Sequence, residues 1–146
     1  MYSLLVVDDE PAVLALAARL AQAAGYAVNI AGCAGEALDR MAERPSAVVL
    51  SDINLPDRSG LWLARQLRQQ FPATALVMMS GDGGAQMDAA LESGAMASMT
   101  KPFSRDILLS ILDRARQWHL EKDVGDVWNT ARALPGLADP SRDGTD

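Results

Sequence analysis

Short apolar runs alternate with longer segments of helical period along most of the chain, and no other feature constrains the fold as tightly. Leu4 to Val7, Ala27 to Ala31, Ala47 to Leu50, Ala75 to Met79 and Met96 to Met99 are the strand candidates. Most are apolar throughout, as strands covered on both faces require. The second and fifth carry the pattern less cleanly. Between the runs, Pro11 suits a first helical turn, and Val13, Leu14, Ala17, Leu20, Ala21 and Ala24 recur at helix spacing before Gly25 ends the segment. Ala34 to Glu43 is a second helix. Leu63, Leu67 and Phe71 mark a third, capped by Ser59 and ended before Pro72. Ala85 to Ser93 is a fourth, stopped by Gly94, and a fifth from Ser104 carries Ile107, Leu108, Ile111, Leu112, Ala115 and Trp118. Strands alternating with helices in this way predict an α/β protein of (βα)5 type with a parallel sheet.

The chain has 146 residues, 49% of them hydrophobic and 22% charged, which suits one globular domain. That domain is expected over residues 1–122. From residue 123 to 146 glycines, prolines and acids accumulate. Val124, Val127, Trp128, Ala131 and Leu134 keep helical spacing there, so a short helix that docks on the body or on a partner is expected, followed by a disordered end. Cys33 is the single cysteine. It excludes an intramolecular disulfide and a multi-thiolate metal site, and its expected role is small buried apolar filler. The net charge of −6 argues against direct nucleic-acid binding, which rests on clustered Lys and Arg. The first residues lack the basic flank of a secretory leader, and no apolar run approaches the roughly 20 residues that span a bilayer. The expected location is cytoplasmic, with no membrane contact.

The functional signal is where polar residues fall relative to the strands. Asp8 and Asp9 follow the first, Asp52 the third, Ser80 the fourth and Lys101 the fifth. In a doubly wound, flavodoxin-like sheet of order 2-1-3-4-5, ligands bind outside the carboxyl ends of the strands, where strand order reverses between the first and third. Three carboxylates would converge there. Unless a cation neutralises them, their repulsion raises at least one pKa. All-oxygen ligands point to a hard ion, and Mg²⁺ keeps waters and takes only one or two carboxylates, which leaves one free to react. Lys101 could lend charge to a phosphoryl group, and Ser80 a hydrogen bond. With two lysines against eleven arginines in the chain, a lysine at this strand end is not background.

Val6-Val7-Asp8-Asp9-Glu10-Pro11, Ser51-Asp52-Ile53-Asn54-Leu55-Pro56 with Gly60, Met79-Ser80-Gly81, and Lys101-Pro102-Phe103 stand in an order and spacing that together are specific. Over residues 1–122 the chain resembles the receiver domain of two-component response regulators, of the single-domain, CheY-like kind. The resemblance implies that Asp52 is the phosphoacceptor and also a metal ligand, that Asp8 and Asp9 hold Mg²⁺ directly or through water, and that Asn54 adds a backbone carbonyl. It assigns Ser80 and Lys101 to the phosphoryl oxygens and places a cis peptide at Lys101-Pro102.

One departure stands out. The family usually carries Tyr or Phe three residues before its lysine, where this chain has Ser98, so the usual aromatic relay is in doubt. Met78, Met79, Met87, Met96 and Met99 crowd the same stretch, mainly as core filler, although methionine also allows repacking. His119 is expected to be an exposed helix residue with no phosphotransfer role, and Trp62 and Trp118 to pack in core or interface. Asp82, just past Ser80, would stand near the site and could influence water attack on a phosphoaspartate.

By this reading the protein is not an enzyme beyond assisting its own phosphorylation and dephosphorylation. It takes a phosphoryl group from a sensor histidine kinase or a histidine phosphotransfer protein and signals to a downstream protein through the face of helix four, strand five and helix five. Self-association into a homodimer is left open. A haloacid-dehalogenase-type phosphohydrolase also forms an aspartyl phosphate with Mg²⁺, but it needs an acid two residues after the nucleophile, where this chain has Asn54. A receiver-like scaffold that is never phosphorylated is the third reading, and the intact polar set counts against it. No output domain is recognisable, so the signal is expected to leave through protein contacts, unless the chain is part of a longer regulator.

Overall fold

A computed structural model describes residues 2–81 and 84–133, with side chains as far as Lys122. Asp82, the segment 134–146 and the Trp128 side chain lie outside the described residues. The elements run β1 (Ser3–Val7), α1 (Pro11–Ala23), β2 (Ala27–Ala31), α2 (Ala34–Glu43), β3 (Val48–Asp52), α3 (Gly60–Gln70), β4 (Ala75–Ser80), α4 (Met87–Glu92), β5 (Ala97–Thr100) and α5 (Arg105–Ala133). The five strands pair in parallel in the order β2-β1-β3-β4-β5. This is the doubly wound, flavodoxin-like α/β fold that the alternation predicts.

Strand alternation splits the core into two layers. Leu5, Val7, Val49, Leu76 and Met78 face α2, α3 and α4, burying Ala37, Met41, Leu63, Leu67 and Ala90. On the other face Leu4, Val6, Val48, Leu50, Val77 and Met79 bury Ala17 and Ala21 of α1 and Leu108, Leu112 and Ala115 of α5. Pro11 opens α1, where a missing N–H costs nothing. Gly25 and Gly94 follow the ends of α1 and α4 with φ of 96° and 109°, a region other residues enter only with strain. Ser59 caps α3 by accepting the Leu61 amide at 3.0 Å. The irregular pattern of β2 has a cause: it is an edge strand with one side open, and Ile30 is 42% exposed.

Several boundaries move. β3, β4 and β5 reach past their apolar runs to Asp52, Ser80 and Thr100, because the ladder continues through Asp52 beside Met79 and Ser80 beside Thr100. α4 is shorter than expected. α5 runs unbroken across residue 122 to Ala133. Gly125 costs such a helix only about 1 kcal/mol relative to Ala and does not stop it.

Two side chains differ from expectation. Cys33 is not buried filler: it is half-buried at the N-cap of α2, where Sγ accepts the Glu36 amide at 3.5 Å. His119 is not exposed, because α5 passes the turn before β4 and brings Nδ1 to 2.7 Å from the Ala73 carbonyl oxygen. Trp62 and Trp118 pack as expected against the two layers. The Arg58 guanidinium lies 4.5 Å above the Trp62 ring.

Candidate functional site

Because all five strands are parallel, their carboxyl ends meet along one edge, and the polar residues that follow them are collected there. Asp8 leaves β1 with its amide donating to the Ala31 carbonyl at 3.1 Å. Its side chain is fully buried, and Oδ1 accepts the Glu10 amide at 2.9 Å. Asp52 closes β3, 4% exposed, with Oδ1 accepting the Asn54 amide at 3.3 Å. The close approach of α3 beneath it requires Gly60: a Cβ there would run into the Asp52 carbonyl oxygen and come within 2.8 Å of the Ile53 Cα.

Lys101 joins these ends. Its Nζ donates to Asp8 Oδ2 at 3.0 Å, Asp52 Oδ2 at 3.1 Å and Glu10 Oε1 at 3.3 Å. Its amide donates to the Ser80 carbonyl at 2.8 Å, and the following peptide bond to Pro102 is cis, as expected. Burial pushes the Asp8 carboxyl above its ordinary value, against the opposing pull of the Glu10 amide and the Lys101 ammonium. Burial works on Lys101 in the lowering sense. The hydrogen-bonded carboxylates of Asp8 and Asp52 override it and hold the ammonium above its usual range.

Carboxylate oxygens of Asp8, Asp9, Glu10 and Asp52 lie within 4.8 Å of one another. Beside them is a cavity of about 450 Å³ lined by Asp9, Glu10, Asp52, Asn54, Gly81 and Lys101. The donor set, all oxygen and partly open to solvent, fits a small hard cation that retains waters. A second hollow of about 410 Å³ shares Glu10, Gly81 and Lys101 with the first and is walled by Val13, Leu16, Pro102 and Phe103.

The sequence-predicted residues Asp8, Asp9, Asp52, Asn54, Ser80 and Lys101 thus all lie along this edge. Ser80 is 3% exposed at the end of β4. Ser98 lies one strand over, across from Met78, with Oγ buried and without a hydrogen bond among the described residues. Two participants were missed. Glu10 reaches Lys101, and the third acid in a row after β1 is the only sign of it. Asp57 sits on the loop after β3 and accepts the amides of Ala34 and Gly35 at 2.9 Å each. An acid one residue past Pro56 gives no sequence hint of that partner.

A doubly wound sheet that gathers buried carboxylates and a lysine at its switch point defines an α/β protein with an acidic crevice bridged by a lysine. The family model described as response regulator receiver domain matches residues 4–113, and the chain belongs to that family. It is 36% identical over 115 residues to the transcriptional regulatory protein KdpE of Mycobacterium tuberculosis, covering 79% of this chain and 51% of that protein. The chain therefore spans about half the length of that relative. Among solved structures, the receiver domain of NtrX from Brucella abortus superposes with a TM-score of 0.75 at 32% identity, over 78% of this chain and 98% of the other. The chemotaxis response regulator CheY4 of Vibrio cholerae also gives 0.75, at 28% identity over 79% and 98%.

Proposed function

We propose that Asp52 accepts a phosphoryl group from a phosphohistidine on a sensor kinase or phosphotransfer protein, and that the phosphorylated chain signals by altered protein contacts. The observation that carries this reading is Lys101 Nζ bridging Asp8 and Asp52 on the floor of the acidic pocket. A carboxylate oxygen of Asp52 forms the new P–O bond as the P–N bond breaks, and the bonding pair leaves with the imidazole nitrogen. Asp8, Asp9, Asp52 and the Asn54 carbonyl are the residues that would hold Mg²⁺, which when bound would supply positive charge to the transferring phosphoryl oxygens. Lys101 exchanges its bond to Asp52 Oδ2 for one to a phosphoryl oxygen, and Ser80 donates to another. The apolar hollow walled by Val13, Leu16, Pro102 and Phe103 opens beside the pocket, which supports entry of the donor protein from that side.

Phosphorylation adds charge and strong acceptors, and the new Ser80 and Lys101 contacts bias a two-state equilibrium. The output face proposed is α4, β5 and α5, where Met87, Leu91 and Ile107 are 40, 45 and 52% exposed. Apolar side chains of this size, open to solvent on neighbouring elements, suit a protein partner or a second copy. Among the described residues no helix is long and apolar enough to cross a membrane; the place of action proposed is the cytoplasm. Catalysis by the chain is confined to its own phosphorylation and dephosphorylation.

The test is phosphoryl transfer from a labelled phosphohistidine donor to the wild type and to Asp52→Asn. The wild type should carry a hydroxylamine-sensitive label and the folded variant none; label on another residue sinks the assignment. A comparison of amide shifts with and without beryllofluoride then locates the output. Shifts confined to phosphoryl-contacting residues, with α4 silent, would discard the α4-β5-α5 face.

A further inference from the structure

The first amides of a helix have no intrahelical acceptors and must find them elsewhere. In α2 the Cys33 thiol serves Glu36 from 3.5 Å, while the Ala34 and Gly35 amides turn to a residue 22 positions or more away in sequence. Asp57 Oδ1 accepts from Ala34 and Oδ2 from Gly35, each at 2.9 Å, and the Arg58 amide adds a third bond at 2.9 Å to Oδ1. A Cβ on Gly35 would stand 3.4 Å from Oδ2, an ordinary contact that places the carboxylate directly against the helix end. Partial desolvation pushes the Asp57 carboxyl up, but the amides of Gly35, Ala34 and Arg58, with its own, outweigh it and bring it down to about 2. It is ionised at any physiological pH, the state a helix N-terminus favours.

Asp57 belongs to the loop from Ile53 to Ser59, which leaves the phosphoacceptor position and carries Asn54. The start of that loop is tied by the Ile53 amide to the Met79 carbonyl at 3.0 Å, and its end by the Gly60 amide to the Ile53 carbonyl at 2.6 Å. Within the loop the Asn54 amide donates to Asp52 Oδ1 at 3.3 Å and Ser59 caps α3, while among the described residues the hydrogen bonds from the loop to α2 run through the Asp57 carboxylate. Without it the loop would keep its bonds to its own flanking strand and helix, the Arg58 stack on Trp62 and the packing of Leu55 against the core, but among the described residues no hydrogen bond to α2.

We propose that Asp57 is a positioning residue for the acidic pocket: by clamping the β3–α3 loop onto the first turn of α2, it holds the Asn54 backbone where the pocket needs it. The inference rests on reading that pocket as the Mg²⁺-dependent phosphoacceptor site. It has a reciprocal consequence. If the clamp strengthens Mg²⁺ binding, Mg²⁺ must strengthen the clamp by the same factor.

The test uses the whole chain as wild type, Asp57→Ala and Asp57→Asn. Three quantities are read: Mg²⁺ affinity from amide shifts, hydrogen-exchange protection of Ala34 and Gly35, and labelling of Asp52 by acetyl phosphate. In Asp57→Ala the Mg²⁺ affinity should fall about tenfold, as for other groups that orient metal ligands. Asp57→Asn, which keeps an acceptor oxygen, should recover part of it. In the wild type, Mg²⁺ should raise the protection of the Ala34 and Gly35 amides. A folded Asp57→Ala that loses this protection yet binds Mg²⁺ and labels like wild type would reduce Asp57 to a helix cap and overturn the proposal. Should the alanine variant not fold, wild-type Ala34 and Gly35 amides that ignore Mg²⁺ overturn it equally. A wild type that neither binds Mg²⁺ nor labels at Asp52 refutes the phosphoacceptor reading itself, and the proposal falls with it.

Discussion

Lys101 Nζ stands 3.0 Å from Asp8 Oδ2, although the two residues are 93 positions apart and follow strands with two others between them in the sheet. The lysine crosses the ends of β4 and β3 to reach an acid with no exposed surface. Its ammonium therefore serves as the resident counter-ion of the pocket, touching Asp8, Asp52 and Glu10 at once. The Glu10 contact is largely exposed and adds little to stability. The contacts to Asp8 and Asp52 involve side chains shielded from water, where charge interactions are strong and desolvation is costly.

That balance gives a sign for Asp8. A carboxyl whose folded-state pKa lies above its unfolded value contributes stability below the unfolded value and loses it as pH rises through the folded one. At neutral pH, without Mg²⁺, ionised Asp8 is thus a net cost. Asp8→Asn should raise the melting temperature at pH 7 and narrow its advantage as pH falls toward 4, which thermal melts across that range will show. A variant less stable than wild type at pH 7 would mean that the Lys101 pair outweighs burial.

Metal binding should be weak, in the millimolar range, because few protein oxygens contribute and waters complete the shell. Asp9→Ala, with an exposed side chain and no side-chain hydrogen bond among the described residues, is expected to keep the fold and weaken Mg²⁺ about tenfold or more. Isothermal titration or amide shifts will decide it, and unchanged affinity would remove Asp9 from the ligand set.

Gly60→Ala sets two effects against each other. Alanine favours the helix by up to about 1 kcal/mol. Its methyl group, however, would meet the backbone of Asp52 and Ile53 and the Met78 methyl, and overpacking of this kind costs about 1–3 kcal/mol. Because the obstacle is backbone, strain should win: the variant should melt lower and label more slowly at Asp52. Denaturant unfolding together with acetyl phosphate labelling checks both.

Ser98→Ala removes a buried hydroxyl that makes no hydrogen bond among the described residues. An unsatisfied buried polar group costs about 1–3 kcal/mol, so the alanine variant should be more stable by about 1 kcal/mol in chemical denaturation. A loss of stability would show that the hydroxyl has a partner after all.

Much of the site was legible because a parallel sheet gathers strand ends. Once Asp8, Asp52, Ser80 and Lys101 are seen to follow apolar runs, their convergence needs only the strand order. The ends of the strands themselves were less legible. Ser51 and Asp52 are polar and read as loop, yet they continue the ladder beside Met78 and Met79. Hydrophobic period cannot report a polar residue that is buried by pairing.

The sequence by itself determined the alternation of elements, the two apolar layers and the identity of the acids at the sheet's edge, because each is written in local period or in a residue next to a strand. Only the tertiary structure decided that Lys101 bridges Asp8 to Asp52, that Asp57 caps α2, that Cys33 caps rather than fills, and that His119 ties α5 to Ala73. Most of these are polar contacts between side chains and groups far apart in the chain. Such contacts leave no periodic trace, since the partner is chosen by where folding brings an unsatisfied amide, carbonyl or buried charge.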